Sequence, residues 1–326
     1  MPVLVQKSAE VTTLTAPGAL PFHLKANITV KDHPYQVVIE EDWISSSKWR
    51  RTIKSSRFSQ TIVVNGDKRY EKNEGEYFPV GLQTISEALF QPIPDSLKES
   101  LSQSKVKLNL YGGALSDANI CDSNTEKIGT STRQGSIFSA VCFSGNPSTI
   151  SEIRIPFYDV QLKDRQPFGK LLVARKLIVG ENESLEWDAQ VTELIAITDV
   201  NESLFVVPEN TPEDRRFKVI FISEEDFRNH FKNTPEVLVL PVTKDENKSG
   251  VYTVFLSIDK DAYVAESWTG DRWYPEIAEA THKEVGTWQF GETKNGDHMV
   301  QLETILTISY KTKLAAKEAE NSSKPK

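Results

Sequence analysis

The stretch FHLKANITV, residues 22–30, alternates without a break. Phe22, Leu24, Ala26, Ile28 and Val30 fall on one side; His23, Lys25, Asn27 and Thr29 fall on the other. A period of two with one apolar side predicts a half-buried antiparallel strand. The rhythm returns in YQVVIEEDWIS (Tyr35, Val37, Ile39, then Trp43), in KWRRTI (Trp49, Arg51, Ile53) and in RFSQTIVV (Phe58, Gln60, Ile62, Val64). Asn65-Gly66-Asp67 then has the composition of a tight hairpin turn. Consecutive strands joined by short polar turns predict a meander in one curved sheet.

Before residue 22 the chain reads as a Pro/Thr-rich lead-in. Residues 79–103 break the alternation: Leu82, Ile85 and Leu89 stand at helical spacing, Pro92 and Pro94 interrupt, and Leu97 and Leu101 resume. Two short helices over one face of the sheet are expected there. Strands follow at KVKLNLY, around 138–143, at EIRIPFY, at GKLLVARKLIVG and at SLEWDAQVTELIAI. The fold class expected is α+β, with an N-terminal curved antiparallel sheet, a half-barrel, over residues 1–208.

VPENTPEDRR, residues 207–216, is aperiodic, acidic and rich in proline, and so reads as a boundary. A second domain over 209–312 opens with FKVIFIS and a short helical segment in EEDFRNHFKN. From Gly250 the order is strand (VYTVFLSID), turn, strand (YVAESW), helix (PEIAEATHKEVGTW), turn (KNG) and a long strand (HMVQLETILTISY). Pro275 suits a first helical turn, where no N–H is needed. Residues 313–326 are charged and poor in aromatics, and a disordered tail is expected.

Composition removes several function classes. The 326 residues are 38% hydrophobic and 26% charged, with net charge -8, and the mean hydropathy is -0.40. A chain this acidic lacks the basic surface that displaces counterions from nucleic acid. No apolar run is long enough to span a bilayer, and the first residues lack the pattern of a signal peptide. The five histidines (His23, His33, His230, His282, His298) show no ligand spacing, so neither zinc nor any other cofactor is expected. No GxSxG is present, YGGA (111–114) lacks the lysine of a phosphate loop, and adjacent acids such as Glu40-Glu41 point apart on a strand. An enzyme is not expected.

Cys121 and Cys142 are the two cysteines. They read either as buried thiols or as a disulfide, which would add about 3 kcal/mol and imply an oxidising compartment.

Two resemblances give these elements a context. Gly250-Val251, Ile258-Asp259, Ala278 and Ala280, Trp288 and Phe290, Asn295-Gly296 and VQLETILTISY resemble the C-terminal domain of the TonB energy-transducer family, a ββαβ module. That family has a glycine where Ala262 stands and a proline after Trp-x-Phe where Gly291 follows. FHLKANITV, Glu41 with Trp43, Trp49-Arg50 and FSQTIVVNGDKRY resemble the half-barrel of LolA/LolB-type periplasmic lipoprotein carriers, in which a curved sheet shields acyl chains.

The resemblances imply a non-enzymatic periplasmic or cell-envelope binding protein. An apolar or acylated ligand would meet Trp43, Trp49 and Arg50 in a cavity of at least ~300 Å3. An envelope protein would add a strand to the last strand, at Thr304, Leu306 and Ile308. The alternative is an interaction protein, or an accessory of TonB-dependent transport, with a packed half-barrel and no ligand cavity.

Overall fold

The computed structural model describes residues 3–31, 33–75, 77–93, 126–131, 138–144, 149–154, 159–181, 185–207, 218–242, 248–269, 275–291, 294–295 and 298–314. They form two compact units: Met1–Lys218 with Lys294–Val300, and Val219–Thr293 with Gln301–Lys326. KVKLNLY, YGGA, the helix expected around Leu97 and Leu101, most of the boundary segment, Gly296 and Cys121 lie outside the described residues.

The first unit is an eleven-stranded antiparallel sheet curled into a half-barrel. In chain order its strands are β1 (Phe22–Val30), β2 (His33–Ser45), β3 (Lys48–Ser55), β4 (Phe58–Asn65), β5 (Lys68–Gly75), β6 (Glu126–Ser131), β7 (Phe138–Ser144), β8 (Thr149–Arg154), β9 (Asp159–Phe168), β10 (Leu171–Glu181) and β11 (Leu185–Ala196). Their spatial order, β5-β4-β3-β2-β1-β11-β10-β9-β8-β7-β6, joins two meanders back to back. β1 and β11 therefore meet in the middle, with Phe22 opposite Ala196 and Val30 opposite Trp187.

The central position of β1 follows from its alternation. All five of its apolar side chains are buried, each contributing roughly 1.5–3 kcal/mol for a full-sized side chain. The β4–β5 hairpin pairs Asn65 with Lys68, leaving Gly66 and Asp67 as a two-residue loop, and Gly66 takes the positive φ of 66° that such a turn demands.

Two helices cover the inner face. α1 (Val3–Thr12) occupies the stretch read as a lead-in. Among its described side chains Val5, Ser8 and Thr12 are buried; Ser8 and Thr12 are small and polar, which hides the helical period. α2 (Val80–Ala88) is the expected helix, with Leu82 and Ile85 fully buried. A 3-10 turn, Glu202–Phe205, ends the unit, and Phe205 is buried.

The second unit contains most of β12 (Lys218–Phe221), α3 (Glu224–His230), β13 (Val237–Val242), β14 (Ser249–Ile258), β15 (Val264–Thr269), α4 (Pro275–Val285) and, from Gln301 on, β17 (His298–Leu314); the short β16 (Lys294–Asn295) belongs to the residues of the first unit. β14 lies between β15 and β17, both antiparallel to it. β13 runs parallel along the far end of β17, from Val237 opposite Ser309 to Val242 opposite Leu314. Ile277, Thr281 and Val285 form the buried stripe of α4. The strand reading of VQLETILTISY extends further than expected, through Lys313 and Leu314, because β13 pairs with those residues.

Candidate functional site

Pleating decides which side chains share the inner face of the half-barrel. Phe22 pairs with Trp43 and Trp43 with Trp49, so both tryptophans line that face. Trp43 is 5% exposed and stacks on Phe22 with ring centroids 5.5 Å apart; Phe22 in turn stacks on Phe90 at 6.2 Å. Trp43 is thus part of an aromatic core. Trp49 is half-buried, with the guanidinium carbons of Arg51 and Arg69 at 5.5 and 5.8 Å from its ring centroid.

Arg50 is not with them. It pairs with Asp42 and Val63 on the opposite face, which it shares with Lys48, the ion-pair partner of Glu202 in the 3-10 turn. The inward arginine is Arg51. The alternation that set Trp49, Arg51 and Ile53 together already required Arg50, expected beside the two tryptophans, to stand on the other face.

Arg51 makes a buried charged centre. Its Nε donates to Glu41 Oε2 at 2.5 Å, and its guanidinium carbon lies 4.2 Å from the Phe90 ring centroid. Glu41 is 1% exposed. Burial pushes its carboxyl above the ordinary value, and the Arg51 charge opposes that shift in part. Nearby, Gln60 donates to Asn73 at 2.9 Å, closing a second buried polar pair.

The inner void lined by Thr12, Leu89, Ile150, Leu162, Arg165 and Val173 has a volume of 10 Å3, room for one water at most. Beside this void α1 packs on β8 and β10, and α2 on β10 and β11. Ser8 Oγ accepts from the Ile150 N–H at 2.9 Å, and the Leu14 N–H donates to the Phe90 carbonyl at 3.0 Å. Arg165 Nη2 has no hydrogen-bond partner among the described residues, and burial lowers the pKa of its guanidinium.

The second expected site is corrected as well. Thr304, Leu306 and Ile308 are at most 1% exposed, and β17 is an interior strand. β14 holds one side along Leu302–Lys311. On the other side the Ile222 N–H donates to the Glu303 carbonyl, and the Ser309 N–H to the Glu236 carbonyl. In the gap between these, side chains from α3 replace a strand. Arg228 Nη2 donates to the Thr307 carbonyl at 3.0 Å, and Glu224 Oε1 accepts from the Thr307 N–H at 3.1 Å. The two side chains are themselves paired at 2.9 Å. A strand cannot add at this rim, since its backbone groups are already engaged.

Among the described residues β13 pairs with β17 alone and so forms an edge of this sheet, as β15 does beside β14. Its residues alternate exposed and buried, with Val237 and Val239 outward at 49% and 60% and Leu238, Leu240 and Val242 inward. Pro241 lacks an N–H and suits an edge strand. The sequence signal for β13 was the alternation in VLVLPV, which its proline obscured.

Cys142 is buried on β7. Among the described residues no group of His, Cys, Asp and Glu is arranged to hold a metal ion, and no helix is long and apolar enough to cross a membrane.

No protein-family model and no curated protein matches the sequence. Solved structures do. A domain described as an outer membrane lipoprotein-sorting protein from Vibrio parahaemolyticus matches at 6% identity and TM-score 0.32, over 62% of this chain and 94% of its own. A DUF1329 family protein from Desulfovibrio piger matches at 8% identity and TM-score 0.32, over 62% and 94%. A LolA superfamily protein from Nitrosomonas europaea matches at 9% identity and TM-score 0.26, over 63% and 96%.

Proposed function

We propose that this chain is a non-enzymatic binding protein of the cell envelope, on the periplasmic side, that works by docking another protein. The observation that carries this reading is the edge position of β13, which among the described residues pairs with β17 alone. The partner, an envelope protein, adds a strand to the outer edge of β13, where Val237 and Val239 stand exposed and the main chain supplies the affinity. The ββαβ order of β14, β15, α4 and β17 supports a TonB-like module adapted to this use.

Capture of envelope proteins on the immobilised chain tests the proposal. Binding should be lost in Val239→Lys with Val237→Lys and kept in Thr253→Lys, which stands on β14, away from that edge. Equal capture by both variants would refute docking at β13.

A second reading follows from the apolar inner face. Ile150, Ile153, Val173, Leu177 and Val179 are buried on β8 and β10, the strands on which α1 packs, so a chain in which α1 moved aside would offer an acyl group an apolar trough. Organic extraction of the purified protein followed by mass spectrometry decides this. A stoichiometric acyl lipid supports carriage by exchange with α1; a lipid-free protein leaves the docking reading alone.

A further inference from the structure

The second unit holds a cleft that neither reading uses. Its volume is 560 Å3, and it lies between residues 230–235, after α3, and residues 288–291, after α4. Its size falls within the range of small-molecule sites.

The floor is aromatic. The ring centroids of Phe227 and Phe231 are 4.9 Å apart, those of Phe227 and Phe290 5.2 Å, and those of Phe231 and Phe290 4.7 Å. Trp288 stands edge-on to Phe290 at 6.1 Å and is only half-buried, so part of its ring is free to face a ligand. The rim is polar: Lys232 is its cationic side chain, His230 adds an imidazole, Asn233 and Gln289 add amides, and no acidic residue among the described ones lines the cleft. In a chain of net charge -8, a lining without a carboxylate is selective for anions. Lys232 has no ion-pair partner among the described residues.

Both walls are held by bonds that need no ligand. The Phe231 N–H donates to Phe227 O at 2.8 Å, and the Thr234 N–H to Phe231 O at 3.0 Å. Thr234 Oγ1 donates to the same carbonyl at 2.7 Å. Opposite, the Phe290 N–H donates to Ala262 O at 2.9 Å. A site shaped in advance loses little entropy when it is filled.

We propose that this cleft binds a small aromatic carboxylate, its ring packed against Trp288 and Phe290 and its carboxylate paired with Lys232. Aromatic rings prefer offset or edge-to-face contact, which a half-exposed indole above a phenylalanine cluster provides. The ammonium of Lys232 selects the anion over its uncharged analogue, and the amides of Asn233 and Gln289 are donors for the second carboxylate oxygen.

Calorimetric titration of the full chain with 2-naphthoate, and separately with 2-naphthylmethanol, tests this. The acid should bind with a Kd of about 1 mM or tighter, and the alcohol about fivefold or more weakly, as loss of one exposed charge pair predicts. Lys232→Glu and Lys232→Gln change an exposed side chain, and each should weaken the acid by at least that factor while leaving the alcohol unaffected. Trp288→Phe should weaken both ligands. Absence of heat with the acid up to about 10 mM overturns the site. Equal affinity for acid and alcohol, or indifference of the acid to both Lys232 variants, overturns it too. None of these results bears on docking at β13.

Discussion

Gly81 in α2 lies directly against the Trp187 indole of β11: a Cβ at position 81 would stand 2.4 Å from Trp187 Nε1 and 2.5 Å from Cδ1. Glycine inside a helix is ordinarily unfavourable by roughly 0.5–1 kcal/mol relative to alanine. Here the bare backbone is what lets α2 settle onto the inner face. Trp187 is 3% exposed and meets Tyr35 edge-on at 5.7 Å, so it has no room to retreat.

Gly81→Ala should therefore destabilise the first unit by about 1–3 kcal/mol despite the better helix propensity of alanine, because overpacking outweighs propensity. Urea unfolding followed by tryptophan fluorescence measures this. A gain in stability would mean that α2 docks more loosely on β11 than the contact implies.

Ala262 has φ of 70°, and Asp259 builds the turn around it by accepting from the Asp261 and Tyr263 N–H groups at 2.9 and 3.0 Å. A Cβ in the left-handed region costs roughly 1–2 kcal/mol. Replacing Ala262 by glycine removes that cost, loses one buried methyl and adds freedom to the unfolded chain. A net gain of about 0.5 kcal/mol in the second unit is expected, read as a raised urea midpoint; a lowered midpoint would contradict it.

Glu41 makes stability depend on pH. Burial raises its folded-state pKa above the ordinary carboxyl value of 4.5. Below that value the carboxyl is protonated in both states. As pH rises, the unfolded chain releases the proton first, so the contribution is lost between pH 4.5 and the higher folded pKa. The stability of wild type relative to Glu41→Gln should fall across that interval and level off above it. Parallel curves for the two proteins from pH 4 to 8 would show that Arg51 cancels the burial cost.

Arg228→Ala and Glu224→Ala strip the side chains from the gap in the β17 rim and return the Thr307 N–H and carbonyl to water. The pair is partly exposed, so the stability loss should be small, about 1 kcal/mol or less. The sharper readout is local. Amide exchange at Thr307 should quicken about tenfold or more in Glu224→Ala while that of Leu306, bonded within the sheet, stays slow. Unchanged exchange at Thr307 would mean that the carboxylate does not hold the N–H.

Thiol titration of unreduced, denatured protein resolves the cysteines. No reactive thiol would establish a Cys121–Cys142 bridge and an oxidising compartment; two would establish buried thiols.

The alternation in residues 22–30 and its echoes through Val64 determined, without any coordinates, that residues 22–64 form an antiparallel meander and which of their side chains face inward. It even placed Arg51 rather than Arg50 beside Trp49, since pleating is a property of the strand alone. The Asp259 turn and the stripe of α4 were legible for the same reason: each depends on residues within one or two turns of chain. Packing across long separations was not. What covers the inner face depended on α1, whose buried Ser8 and Thr12 carry no apolar signature, meeting a strand that begins at residue 149. Whether β17 is an edge depended on Glu224 and Arg228 reaching Thr307. A strand knows its own faces, but its neighbours are chosen by the rest of the fold.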